Sequence, residues 1–191
     1  MWLDRVKQKY GDGLCVNWRS FSLDQVHREE KANVKVWDLP NFLEERSLLS
    51  LISGEAARLQ GIDLYEKYHM ALLRARHGGN ARISLNKPEP LLQIARNVGL
   101  DVNKFEEDLE NPEAIGSVIR DHTEAVDVHG VFGTPTFLFE GRDSVYVKTF
   151  IPPIHESVEF FERFVGLMSG RSYLGELKRP QPPWPKGAVK Y

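Results

Sequence analysis

Apolar positions open the chain at helical spacing, with Trp2, Leu3, Val6 and Tyr10 on one face and Gly11 as a stop. The dense apolar run Gly13-Leu14-Cys15-Val16-Asn17-Trp18-Arg19 then predicts a strand. Residues 22–40 read as polar and irregular, closed by Asp38-Leu39-Pro40. From Asn41 to about Val128 the period is helical throughout. Asn41 followed by Glu44 has capping-box spacing ahead of a leucine-rich stretch. Ile62, Tyr65, Tyr68, His69, Leu72 and Leu73 form one stripe that Gly78-Gly79 ends. Leu91 to Val98 predicts a shorter helix with Gly99 as a left-handed cap. Asp101 starts another, carrying Phe105 and Leu109. Asn111-Pro112 caps and opens a helix through Ile115, Val118, Ile119, His122 and Val126.

Then the period changes. Thr136-Phe137-Leu138-Phe139 predicts a strand, Glu140-Gly141-Arg142-Asp143 a turn, and Ser144 to Phe150 a second strand. Pro152-Pro153 leads into a last helix with Val158, Phe161, Phe164, Val165 and Met168 inward, and Gly170 follows. From Lys178 the tail is proline-rich and expected to be extended. A strand and a hairpin separated by a long helical block predict an α/β fold, one sheet with a helical insertion. An all-helical protein is the competing architecture, and the flanking strand segments argue against it.

Composition narrows the chemistry. Hydrophobic residues make up 41% and charged residues 27% of 191, ordinary for a globular protein. A net charge of −2 and the absence of a basic run give no footprint for nucleic acid or an acidic membrane. No apolar stretch is long enough to span a bilayer. Met1-Trp2-Leu3, followed at once by Asp4, Arg5 and Lys7, does not read as a secretory leader. The single cysteine, Cys15, forms no internal disulfide, which fits a cytoplasmic location, and it excludes multi-cysteine zinc. In its apolar segment Cys15 reads as a buried small hydrophobe.

Other chemistry-bearing residues read as structural. Asp121, His122, Glu124, Asp127 and His129 resemble metal ligands, but His122 and His129 lie two turns apart, so no metal site is expected. They read as a solvated helix face or caps. His69 reads as a satisfied half-buried histidine, and His27 as part of a surface loop. Glu107, Asp108 and Glu110 read as a charged helix face.

The most informative segment is Gly130-Val131-Phe132-Gly133-Thr134-Pro135-Thr136-Phe137. A proline just before a buried strand cannot donate to its ladder, so it belongs at the first residue or on an edge. The nearby glycines permit a sharp turn and close approach. On these residues alone the segment is a helix-to-strand connection. With Ala125 and Val126 ahead of it, it resembles the DsbA-like branch of the thioredoxin superfamily. Trp18-Arg19-Ser20-Phe21-Ser22-Leu23, Glu55-Ala56-Ala57-Arg58-Leu59-Gln60-Gly61 and Leu91 to Leu100 with Asp101 agree in order. The resemblance covers roughly residues 1–170.

That resemblance implies a discontinuous thioredoxin-like domain (1–38 and 128–175), a helical insertion (39–127) and an extended tail (176–191). It implies a cis Pro135, with Thr134 and Pro135 as catalytic-loop residues and Gly133 and Phe132 as substrate-binding ones. The Thr134 backbone would pair with an extended peptide or with glutathione. The implied function is thiol–disulfide oxidoreduction on peptide or small-molecule thiols. No bound cofactor is implied, and glutathione stands open as a cosubstrate. The redox members carry Cys-x-x-Cys at the start of the first helix, where the helix dipole stabilises a thiolate.

The helix at Trp2–Tyr10 corresponds to that first helix, and neither the preceding strand nor the cysteine pair is in the sequence. The expectation is a truncated chain or misplaced start, since natural domains rarely leave a central strand open. A partner or a second copy, making a homodimer, is the other way to supply the strand. Two further functions stay open: a glutathione-dependent isomerase or transferase of the same fold, and a non-catalytic peptide-binding module.

Overall fold

The computed structural model describes residues 2–32, 34–45, 47–78, 82–139, 144–149 and 151–177. The expected stop at Gly79, turn at 140–143, strand end at Phe150 and tail at 178–191 lie outside them. Among the described residues the fold is mostly helical, with one two-stranded sheet. The chain divides into two compact units, with boundaries between Asn17 and Trp18 and between Val128 and His129. Residues 18–38 therefore cluster with the helices that follow them.

The helical unit holds α2 (Leu23–Ala32), α3 (Leu48–Arg58), α4 (Ile62–His77), α5 (Pro88–Val98), α6 (Val102–Asp108) and α7 (Pro112–Asp127). Local chemistry sets several of their ends. Gly99 takes φ +86, a left-handed cap that lets its N–H reach back to the carbonyls ending α5. Asp101 accepts from the Lys104 N–H, and Asn111 accepts from the Glu113 N–H ahead of Pro112.

The expected Asn41–Glu44 capping box does not form. Asn41 precedes only a short 3-10 turn and makes no capping bond. The irregular stretch expected over 22–40 contains α2 instead. Ser22 caps it by accepting from the Gln25 N–H at 3.1 Å. Ser22 and Gln25 thus hold the spacing that Asn41 and Glu44 only imitate. His27 is accordingly an exposed helical residue, not a loop residue.

Helix α3 is buried almost from end to end, Leu48 through Ala57 except Leu51, because it serves two cores. Leu49, Ala56 and Ala57 join Tyr68, Leu72, Leu91, Ile94, Phe105 and Leu109 in the larger one. Leu48 and Ile52 meet Val36, Ala114 and Val118 in the smaller. Polar residues it buries, such as Ser53 and Glu55, are hydrogen-bonded, which lets the helix be covered on nearly all sides.

The second unit contains α1 (Trp2–Tyr10), β1 (Thr136–Leu138), β2 (Ser144–Tyr146) and α8 (Ser157–Met168). The strands run antiparallel, with Thr136 opposite Tyr146, Phe137 opposite Val145 and Leu138 opposite Ser144. Period-two alternation sends Phe137 inward, where its ring lies 5.1 Å from Phe164 and 6.2 Å from Trp2. Trp2 in turn meets Phe160 edge-on at 5.2 Å, so this core is largely a set of aromatic rings. Arg5 donates to Ser157 and the Tyr10 hydroxyl to Glu162, tying α1 to α8.

The strand expected over residues 13–19 is corrected. Burial does alternate there, with Leu14, Val16 and Trp18 partly buried and Cys15, Asn17 and Arg19 exposed. Among the described residues, however, the segment joins no ladder. The same alternation overturns the buried reading of Cys15, which is exposed. Within the described residues no helix is long and apolar enough to cross a membrane.

Candidate functional site

The loop before β1 begins with Gly130, whose φ of +61 turns the backbone, and with Val131, which is buried. Phe132 then lies 68% exposed, Gly133 is buried, and Thr134 and Pro135 are exposed. The Thr134–Pro135 peptide bond is cis.

Both flanks of Thr134 are held. On its N-terminal side the Thr136 hydroxyl donates to the Gly133 carbonyl at 2.7 Å. On its C-terminal side the Pro135 carbonyl accepts from the Val147 N–H at 3.0 Å. Pro135 returns no N–H to Val147, so the ladder ends there, as a proline at a strand's first position requires. Thr134 itself stays outside this bonding. Among the described residues no hydrogen bond engages its backbone. A fixed, exposed residue whose own N–H and C=O are both unpaired can take one more strand-like partner.

All four expected site residues, Phe132, Gly133, Thr134 and Pro135, therefore fall in one short turn. Sequence reasoning missed Tyr146. Its ring reaches Gly133 so closely that a Cβ built there would meet Cε2 at 3.2 Å, and it lies 5.0 Å from the Phe132 ring. The signal was available in the alternation of the second strand, which puts Tyr146 on the face opposite buried Val145.

The helical unit has its own polar constellation. Asp121 is 8% exposed and accepts from the Arg19 guanidinium at 2.7 Å and the Ser20 N–H at 2.9 Å. Glu55 accepts from the Ser20 hydroxyl and from Arg58, which also donates to the Trp18 carbonyl and lies over the Tyr65 ring. His122 is buried, and its Nδ1 accepts from the Ser22 N–H at 3.2 Å. The solvated-face reading of Asp121 and His122 is thus corrected. Both serve as internal acceptors for the backbone of residues 20–22, because an unpaired buried N–H is costly.

His69 stacks with Tyr65 and lies 4.6 Å from Trp18. It is half-buried as expected but not satisfied, since its Nε2 has no hydrogen-bond partner among the described residues. Burial, together with the Arg58 charge, pushes its pKa down to about 4, so the ring is neutral near pH 7. Asp108, read as part of a charged face, is also buried, and it accepts from Asn111. Among the described residues no three His, Cys, Asp or Glu side chains converge as metal ligands would.

The family described as DSBA-like thioredoxin domain matches residues 1–162. No curated protein sequence matches the chain.

Proposed function

Because this chain belongs to the DSBA-like thioredoxin domain family, whose general function is thiol–disulfide oxidoreduction, we propose that its Gly133–Thr136 loop holds a peptide or small-molecule thiol or disulfide for exchange. The observation that carries this reading is Thr134, exposed and unbonded between two anchored neighbours. An extended ligand backbone would pair with it as a very short added strand. Glutathione, itself a short peptide thiol, is the proposed cosubstrate, and a reducing cytoplasm is the proposed setting.

Exchange itself proceeds by thiolate attack on a disulfide sulfur, through a mixed disulfide that a second thiolate resolves. The first thiolate must stand on the catalyst and the second there or on a cosubstrate thiol such as glutathione, whereas the family's redox members carry a cysteine pair and these 191 residues contain only Cys15. The single cysteine favours a second reading of these residues, in which the loop binds substrate without turning it over.

Titration calorimetry with oxidised glutathione and with an unstructured S-methylated cysteine peptide tests the proposal. Wild type should bind at least one probe, and Thr134→Pro, which removes the N–H, should weaken it about tenfold or more. The Thr134 amide resonance should move on titration, which checks the contact without relying on the variant's folding. Failure of wild type to bind either probe at millimolar concentration overturns the proposal. Reduction of insulin by dithiothreitol, followed by turbidity, should proceed no faster with these residues present; acceleration would overturn the reading without turnover.

A further inference from the structure

Holding a ligand by one peptide unit requires that the unit not retreat when the ligand backbone presses on it. The loop bonds fix the carbonyls of Gly133 and Pro135, and neither bond supports the backbone of Gly133 from behind. A side chain from the neighbouring strand fills that position. Tyr146 stands opposite Thr136. The Val147-to-Pro135 hydrogen bond makes the adjacent pair the bonded one, so Thr136 and Tyr146 form a pair of the non-hydrogen-bonded type. In such pairs the side chains approach most closely.

Cross-strand geometry thus brings the Tyr146 ring onto the loop. A Cβ at Gly133 would meet its Cε2 at 3.2 Å, Cδ2 at 3.7 Å and Cζ at 3.8 Å, so the Cε2 side of the ring borders the space a side chain there would take. The Phe132 ring, 5.0 Å away and tilted by 51°, bears on the same Tyr146 ring. Residues on both sides of the 132–133 peptide therefore rest on one aromatic side chain. The contact is made by ring carbons. Among the described residues the Tyr146 hydroxyl makes no hydrogen bond.

We propose that Tyr146 is the positioning residue of this loop, bracing Gly133 so that the Thr134 peptide is presented in one geometry to an extended thiol- or disulfide-bearing ligand. This inference rests on the reading of Thr134 as the ligand-holding unit. It gives a reason for glycine at position 133 at an ordinary backbone conformation, since a Cβ there would press on the brace and shift it by a few tenths of an ångström. Because the ring and not the hydroxyl does the work, phenylalanine should substitute and smaller side chains should not.

The test compares Tyr146→Phe, Tyr146→Leu and Tyr146→Ala by three readouts. These are affinity for oxidised glutathione, amide resonances of Gly133 and Thr134, and thermal midpoint. Tyr146→Phe should keep affinity within about twofold of wild type, and Tyr146→Ala should lose about tenfold or more. The Gly133 and Thr134 amides should broaden or shift in Tyr146→Ala and Tyr146→Leu but not in Tyr146→Phe. The midpoint should change little, because Tyr146 is 38% exposed.

Wild-type-like affinity in Tyr146→Ala overturns the inference, as does equal loss in Tyr146→Phe. Should Tyr146→Ala fail to fold, Tyr146→Leu carries the same comparison. Should wild type bind nothing, the functional reading falls. The brace is then judged by the unliganded amides alone, and unchanged resonances in the alanine and leucine variants overturn it too.

Discussion

The two units bury their groups in different ways. In the helical unit Glu55, Asp121 and Asp108 are all buried, and each accepts hydrogen bonds from named donors. Its two apolar clusters contain wholly buried side chains such as Phe105, Leu91, Leu48 and Ile52. The other unit relies on aromatic rings around Trp2, Phe137 and Phe164, of which Phe164 is the most buried at 9% exposed. It is there, beside a sheet of two strands, that the N–H and C=O of exposed Thr134 have no partner among the described residues. Buried carboxylates tied to backbone and side-chain donors make the helical unit rigid, although His69 Nε2 in the same unit stays unbonded among the described residues. A residue left open between anchored neighbours marks a region available for recognition.

The largest expected effect sharpens that contrast. Phe105→Ala, which empties a site of zero exposure beside Tyr68, should cost about 4 kcal/mol in urea unfolding, and Phe164→Ala about 3 kcal/mol. A larger loss at Phe164 would break the comparison. Next is the polar network. Asp121→Ala strands the buried Ser20 N–H and should cost about 3 kcal/mol, while Asp121→Asn, which keeps an acceptor, should cost clearly less. Equal losses would mean that charge, not the backbone acceptor, is what the site needs.

The smallest effect depends on pH. The His69 pKa is depressed in the folded chain from 6.5 to about 4, so the unfolded chain takes up the proton first. Its contribution is therefore complete above pH 6.5 and is lost as pH falls toward 4. Between pH 7 and pH 5 the loss should be about 2 kcal/mol. His77 is shifted in the same direction by burial and by Arg76, so the difference between wild type and His69→Phe isolates the His69 share. Parallel stability–pH curves for the two proteins would show that His69 is not buried neutral.

Much of the secondary structure was legible because its causes are local. Gly99, Asp101 and Asn111-Pro112 announce their helix ends within a few residues, and Thr136-Phe137-Leu138 announces a strand. Helix α2 escapes a hydrophobic reading because Leu23–Ala32 is mostly charged and polar, so few apolar residues mark its inner face, and its start is signalled by the Ser22 cap instead. The strand expected at 13–19 failed for the opposite reason. Its alternation is real, but alternation records which side is covered and not whether another strand lies alongside.

Position 121 shows the same limit. Asp121 and Ser20 are far apart along the chain, and nothing local says that one will cap the other's N–H.

The loop at Gly133-Thr134-Pro135 stands on both sides of that line. Sequence alone determined that a proline unable to donate would stand at the head of a strand, and the ordered motifs around it identified the family. Those are properties of covalent structure and residue order. Only the tertiary structure decided that Thr134 would be the unbonded residue between two anchored ones. Only it brought Tyr146 behind Gly133. Both outcomes depend on hairpin register, which is settled by pairing across a turn and not by any residue's own preference.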